Sequence, residues 1–315
     1  MKTSSEEIFS LKTDKNIKKT SRERLPSWLR RAPGRPSKLH SVKTTLREGG
    51  LSTVCESARC PNIGECFSKP TATFMILGDI CTRRCGFCNV KKTSAESGHN
   101  LHGINQEEPG EVAKAAKKMK LSHVVVTSVT RDDLPDGGAS HFAETIKEIR
   151  KALPKASVEV LVPDFGADKA SVDTVIDARP DIFNHNIETV KRLYPQVRPV
   201  ADYANSLEIL KQATERGLIT KSGIMVGFGE SAGEVGETLQ DLKNAGCSAV
   251  TIGQYLQPKN SSLPVFEYIR PEVFKEYEAV GLEIGLKHVF AGSFVRSSYN
   301  ALELFQELSG GALKV

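Results

Sequence analysis

From Thr71 to about residue 290 the sequence repeats one pattern six times: a short apolar run, a loop, then an amphipathic stretch of helical period. The apolar runs are TATFMILG (71–78), SHVVVTSV (122–129), SVEVLVPD (157–164), DIFNHNIE (181–188), TKSGIMVGF (220–228) and SAVTIGQYL (248–256). Helical periodicity follows over 108–120, 139–153, 168–178, 204–216, 232–245 and 271–286, with Gly217 and Gly246 as stop signals. Near-continuous apolar strands alternating with helices predict a parallel sheet covered by helices. Six such units in succession predict an α/β fold, a (β/α)6 barrel of the TIM type, closed or partial, rather than a flat doubly wound sheet. The expected organisation is a flexible leader over 1–24, an N-terminal extension over 25–70, the barrel over 71–290 and a C-terminal extension over 291–315. In such barrels chemistry gathers at the carboxyl ends of the strands. A cysteine cluster follows the first strand, TRDDLPDGG follows the second, NHN interrupts the fourth and GFGE follows the fifth.

Apolar residues make up 39% of the 315 positions and charged residues 26%, the balance of a soluble globular chain. No apolar run approaches the roughly 18 residues of a membrane helix, and MKTSSEEIFSLKTDKNIKK lacks a secretory h-region. These features predict a cytoplasmic protein without a membrane partner. Residues 1–50 hold thirteen Lys or Arg against five Asp or Glu. Such a basic arm suits an acidic partner protein or a nucleic acid, or is simply a solvated leader. Trp28, Leu29, Leu39 and Val42 suggest a segment packed against the main body.

Six of the seven cysteines fall between residues 55 and 88, and only Cys247 stands apart. In a reducing compartment that clustering favours metal or redox chemistry over disulfides. CTRRCGFC places Cys81, Cys85 and Cys88 at offsets zero, four and seven, with no fourth cysteine or histidine close by; His99 lies beyond a polar loop. Structural zinc sites use CxxC pairs and four protein ligands, whereas thiolates in one short loop suit an iron–sulfur cluster. Three thiolates leave one iron of a cubane free for a small chelating molecule. Upstream, CESARCPNIGEC carries Cys55, Cys60 and Cys66. Cys247, at the start of a strand, reads as a small buried apolar residue.

Other residues carry weaker signals. Gly227, Gly229 and Glu230 in MVGFGE form a glycine-rich turn through which backbone can approach a ligand, or merely a tight turn. Asn184, His185 and Asn186 are polar groups in an apolar strand, so they contact a ligand or satisfy one another in the core. Asp132 and Asp133 could accept hydrogen bonds from a ribose or serve as turn residues. The Arg198 guanidinium could reach a carboxylate or make a surface ion pair.

CTRRCGFC, with Phe87 as its aromatic residue, resembles the CxxxCxΦC signature of the radical S-adenosylmethionine (SAM) superfamily. The second triad, RSSY at Arg296 to Tyr299, and the stretches GLSTVCESARCPNIGECF, RDDLPDGGA, NHNIETV, YANSL, KSGIMVGFGE and TIGQYLQP together resemble the lipoyl synthase family within it. That resemblance covers about Trp28 to Tyr299. It implies that Cys81, Cys85 and Cys88 hold a radical-generating 4Fe–4S cluster whose open iron binds SAM. Cys55, Cys60 and Cys66 would hold an auxiliary 4Fe–4S cluster, with Ser298 of RSSY as its fourth ligand and its sulfides as the sulfur source. Phe87, Asp132, Asn184, Asn186, Arg198, Gly227, Gly229 and Glu230 are then candidates for the SAM site. The implied reaction inserts two sulfur atoms at C6 and C8 of an octanoyl chain on a lysine of a carrier protein, using two SAM molecules. Implied partners are octanoylated lipoyl-carrier domains (2-oxoacid dehydrogenase E2 subunits and the glycine cleavage H protein), an electron donor such as ferredoxin or flavodoxin, and an iron–sulfur carrier, with no nucleic acid. Radical methylthiotransferases acting on tRNA share a radical triad plus three further cysteines. Their second triad is far more widely spaced and an extra β-domain follows their barrel. A cluster- or zinc-binding module without catalysis is the remaining alternative.

Overall fold

The computed structural model describes residues 25–30, 36–93, 101 and 103–308. His99, the leader over 1–24, the side chain of Leu39 and the last residues of the C-terminal extension lie outside them. Seven parallel strands form one sheet in chain order: β1 (Thr71–Ile76), β2 (His123–Ser128), β3 (Ser157–Leu161), β4 (Ile182–Asn184), β5 (Ile219–Val226), β6 (Ala249–Gln254) and β7 (His288–Gly292). Among the described residues no ladder joins β7 back to β1, so the barrel is partial. Three helices precede the sheet: α1 (Pro36–Glu48), α2 (Val54–Ser57) and α3 (Ile63–Cys66). Covering the strands are α4 (Glu108–Lys118), α5 (Ala139–Ala152), α6 (Lys169–Asp177), the single turn α7 (Tyr194–Val197), α8 (Tyr203–Glu215), α9 (Ala232–Asn244) and α10 (Pro271–Ile284), and α11 (Ala301–Leu308) ends the described chain.

All six helices and six strands expected from periodicity are present. Their starts follow local chemistry: Asp168 and Asp202 accept backbone N–H bonds at the heads of α6 and α8, and Ser231 with Glu234 forms a capping box on α9. Two strand expectations need correction. A seventh strand, β7, follows α10 where the sequence suggested only the end of the barrel. Moreover, β4 is three residues long rather than eight, because the chain leaves the ladder after Asn184 and Glu188 adopts a left-handed conformation (φ 70°).

Alternate residues of each strand point into the barrel, and the interior at its lower end is polar. Lys221 and Glu159 are wholly buried and paired at 3.0 and 3.2 Å. His123 Nε2 stands 3.4 Å from Glu159 Oε2, while its Nδ1 meets Ser157 Oγ at 2.7 Å. Asn184 Nδ2 donates to Glu159 Oε1 at 2.9 Å. Against this network lies α11: the Phe305 ring is 6.0 Å from that of His123, and Ala301 and Leu304 are buried beside it. Apolar side chains pack instead between the sheet and its helices, with Leu29 buried and Val42 of α1 against the same core.

The two extensions meet along the open side. Ser52 bridges Met75 on the free edge of β1. Across to the segment after β7, Asn62 Nδ2 donates to Phe294 O (2.6 Å), the Tyr299 hydroxyl donates to Glu65 Oε1 (2.9 Å), and Lys69 Nζ reaches Asn300 Oδ1 and Glu303 Oε1, both at 2.7 Å.

Candidate active site

The loop bearing Cys81, Cys85 and Cys88 leaves β1 and is closed at its base by a two-residue pairing of Ile80–Cys81 with Lys91–Lys92. Backbone N–H groups of Arg83 and Thr130 both lie 3.4 Å from Cys81 Sγ. Gly86 donates to Val197 O and accepts from Leu263 N–H, each at 3.0 Å, and a Cβ there would lie 2.7 Å from the Leu263 side chain. A side chain there would force Leu263 to shift. Phe87 packs against the core of the barrel's second half. Burial pushes the Cys88 thiol up to about 11, with Cys85 and Cys81 adding to the rise. Burial likewise raises Cys85, opposed chiefly by the Arg198 charge.

Cys55, Cys60 and Cys66 are set by α2, α3 and the turn between them. Thr53 caps α2 by accepting from Glu56 N–H at 3.3 Å, and Cys60 N–H donates to Cys55 O at 2.9 Å. Burial raises the Cys55 thiol, and Cys60 and Cys66 push it further. In both triads, therefore, the thiols stand within electrostatic reach of one another. The two loops also touch: Asn89, next to Cys88, donates through Nδ2 to Ser57 O at 2.7 Å, two residues past Cys55.

Among the described residues no three His, Cys, Asp or Glu side chains converge closely enough for one metal ion. A cubane cluster does fit thiol triads of this kind, since each thiolate takes a different iron and the sulfurs stay apart. The donors are all sulfur, which suits iron–sulfur chemistry. The raised thiols mean that cluster binding displaces protons.

Arg83, inside the cysteine loop, is the residue the sequence reading passed over. Its buried guanidinium grips Asp164 after β3 (2.5 and 2.6 Å) and Asp132 after β2 (2.8, 2.9 and 3.2 Å). Asp132 also accepts from Thr82 Oγ1 at 2.8 Å, so its carboxylate already anchors the loop; Asp133 pairs with Arg131. Asp164 sits on a turn in which Phe165, Gly166 and Ala167 all have positive φ, strain that marks a position fixed by its surroundings. Arg83→Ala leaves Asp164 buried and unpaired, which costs about 3 kcal/mol or more. Iron analysis after reconstitution should show the Cys81 loop losing its iron while the Cys55 loop keeps its own. Full iron at both would contradict an anchoring role.

Above the polar interior, Arg198 Nη1 donates to Asn186 O (3.0 Å) and the Tyr194 hydroxyl (2.9 Å). Its Nε and Nη2 have no hydrogen-bond partner among the described residues. Glu188, another residue missed in the sequence, is half-buried; desolvation raises its carboxyl against the lowering charge of Arg198, and it accepts from Asn186 Nδ2 at 3.2 Å. The glycines of GFGE serve the protein's own packing. A Cβ on Gly227 would strike Gln254 and lie 2.6 Å from Glu267 O, and one on Gly229 would press on Phe266. Glu230 clasps that turn, accepting from Gly227 N–H (2.5 Å) and Phe228 N–H (2.9 Å).

His185 is buried, with Nδ1 2.8 Å from Val162 O and Nε2 without a hydrogen-bond partner among the described residues. Burial, helped by Arg198, pushes its pKa down to about 4 from 6.5. Between those values the unfolded chain binds a proton that the folded chain does not, so stability is complete above pH 6.5 and falls as pH drops toward 4. The expected loss is roughly 3 kcal/mol. Denaturant unfolding of the cluster-free chain across that window measures it, and His185→Gln should flatten the slope.

A parallel barrel with a three-thiol loop leaving its first strand defines the radical SAM class, and the radical SAM superfamily model matches residues 75–242. The model for the N-terminal domain of lipoyl synthase matches residues 2–60. A lipoyl synthase of Caldanaerobacter subterraneus subsp. tengcongensis is 53% identical over 280 residues, 88% of this chain and 96% of that protein. One from Rubrobacter xylanophilus is 53% identical over 291 residues, 91% and 88% of the two chains. The chain belongs to the lipoyl synthase family. It is a sulfur-inserting radical SAM enzyme working with 4Fe–4S clusters. Among solved structures, HydG, a maturase of the [FeFe]-hydrogenase, aligns with TM-score 0.54 at 14% identity over 86% of this chain and 77% of its own. Streptococcus suis SuiB bound to precursor peptide SuiA aligns with TM-score 0.55 at 11% identity over 94% and 60%. At such identities these show the fold alone. Among the described residues no helix is long and apolar enough to cross a membrane.

Proposed function

We propose that Cys81, Cys85 and Cys88 hold the radical-generating cluster, that Cys55, Cys60, Cys66 and Ser298 hold the auxiliary one, and that the substrate is an octanoyl-lysine on a lipoyl-carrier protein. The single observation that carries this reading is the joining of two all-thiol triads at the open side of one barrel, tied through Asn89 and Ser57. When bound, the two clusters supply the electron that cleaves SAM to the 5′-deoxyadenosyl radical and the sulfides that enter C6 and C8. Unactivated methylene carbons offer no acid or base handle, so a radical route is required.

The chain's own groups bind and orient. Arg198, with Nη1 fixed by Asn186 and Tyr194, has Nε and Nη2 to offer the carboxylate of SAM beside Cys85. Asn186 and Glu188 flank it as candidate contacts for the polar parts of that molecule. Asp132 acts at one remove, through Arg83. Gly227, Gly229 and Glu230 are candidates for a wall of the SAM site. Ser298 belongs to a segment whose neighbour Tyr299 bonds Glu65, adjacent to Cys66, which supports its place as fourth ligand. A serine ligand is harder and more readily lost on protonation than a thiolate, as a cluster that surrenders sulfide requires. The carriers fitting this substrate are 2-oxoacid dehydrogenase E2 subunits and the glycine cleavage H protein. A ferredoxin or flavodoxin as reductant and an iron–sulfur carrier complete the set. Anaerobic turnover of an octanoyl-lysyl peptide tests the assignment.

A further inference from the structure

The barrel grips the RSSY segment at Ser297, the serine beside the one assigned to the cluster. Ser297 Oγ donates to Asn186 Oδ1 at 2.9 Å and accepts from Asn184 Nδ2 at 2.8 Å. Asn184 is wholly buried and is itself braced by Glu159, which Lys221 neutralises. Two glycines make room. A Cβ on Gly223 of β5 would lie 2.8 Å from Asn186 Oδ1, and one on Gly253 of β6 would strike the Val295 carbonyl oxygen and approach Arg296 Nη1 to 3.1 Å. A serine hydroxyl that satisfies two asparagines at once, opposite sheet positions emptied of side chain, is a built contact and not a polar turn.

We propose that Ser297, held by Asn184 and Asn186, is a positioning residue that fixes Ser298 against the auxiliary cluster. The main-chain carbonyl oxygen of the same Asn186 accepts from Arg198 and its Nδ2 donates to Glu188, so one residue sets the serine arm and borders the SAM site. This inference rests on the assignment of Ser298 as the fourth ligand. Removing the Ser297 hydroxyl deletes two hydrogen bonds, enough to free the arm by roughly tenfold.

The test is iron release from the reconstituted holoenzyme to a ferrous chelator, with electron paramagnetic resonance following three-iron species at the auxiliary site, and SAM consumed per lipoyl product as a second readout. Ser297→Ala should raise the release rate about tenfold and the SAM-to-product ratio, with only a small fall in the melting temperature of the cluster-free chain. Ser297→Thr, which keeps the hydroxyl, should restore both. Gly223→Ala, which crowds Asn186 without touching the arm, should act like Ser297→Ala. Unchanged release in Ser297→Ala, with faster release in Ser298→Ala, would overturn the positioning role while leaving the ligand assignment standing. Unchanged release in Ser298→Ala would instead overturn the ligand assignment and the inference with it.

Discussion

Replacing Cys85 with alanine should abolish 5′-deoxyadenosine formation altogether, because a cubane held by two thiolates no longer presents a single open iron for SAM. Cys85 is held from several sides: the Arg198 charge faces it, Lys92 Nζ holds its carbonyl at 2.9 Å, and Gly86 beside it is wedged against Leu263. The thiols of the other triad belong to a separate loop, tied to this one through Asn89 and Ser57. Cys55→Ala makes the contrast. It should spare measurable SAM cleavage yet give no lipoyl product. Chromatographic assay of 5′-deoxyadenosine beside mass analysis of the peptide reads both variants. Normal cleavage in Cys85→Ala, or product from Cys55→Ala, would contradict the division of labour between the triads.

Lys221→Met should produce the largest loss of stability, in the range of about 3–5 kcal/mol for stripping one partner from a buried ion pair. Lys221 and Glu159 are both 0% exposed, and the lysine charge is the main influence holding Glu159 at about 2 against the opposing effect of burial. With the lysine gone, Glu159 keeps the Asn184 hydrogen bond at 2.9 Å and has His123 at 3.4 Å as a group that can take up a compensating charge. Thermal or denaturant unfolding of the cluster-free chain measures the loss. The double variant Lys221→Met with Glu159→Leu should recover much of it, because an apolar pair leaves no buried charge. Equal stability of wild type and Lys221→Met would mean that the interior pair is already neutral.

Repetition made the barrel readable in the sequence. Six βα units announce a parallel sheet because the strands are buried on both faces and the helices between them keep a clear period, three of them with side-chain caps and several with glycine stops. The seventh strand was not legible, since HVFAG is short and mostly half-buried at the open edge, so it lacks the apolar signature of the inner strands. The opposite error occurred at β4, where an apolar run hid the turn that Asn184, His185 and Glu188 impose. Cysteine spacing identified both triads, but their adjacency depends on Asn89 meeting Ser57, a contact between loops that no local pattern encodes. Arg83 reads as one of two basic residues in a loop. Only the fold shows that Asp132 and Asp164, on different strands, converge on it. Gly227 and Gly229 suggested ligand approach; the packing of Gln254, Glu267 and Phe266 against them, which also requires glycine there, is visible only in the fold.

The central claim, that this barrel inserts sulfur into a tethered octanoyl chain, is tested most directly by the mass of an octanoyl-lysyl peptide. The peptide is incubated anaerobically with reconstituted protein, SAM and a strong reductant. The expected product has gained two sulfurs and lost two hydrogens. An unchanged peptide alongside accumulating 5′-deoxyadenosine would contradict the claim while leaving the radical site intact.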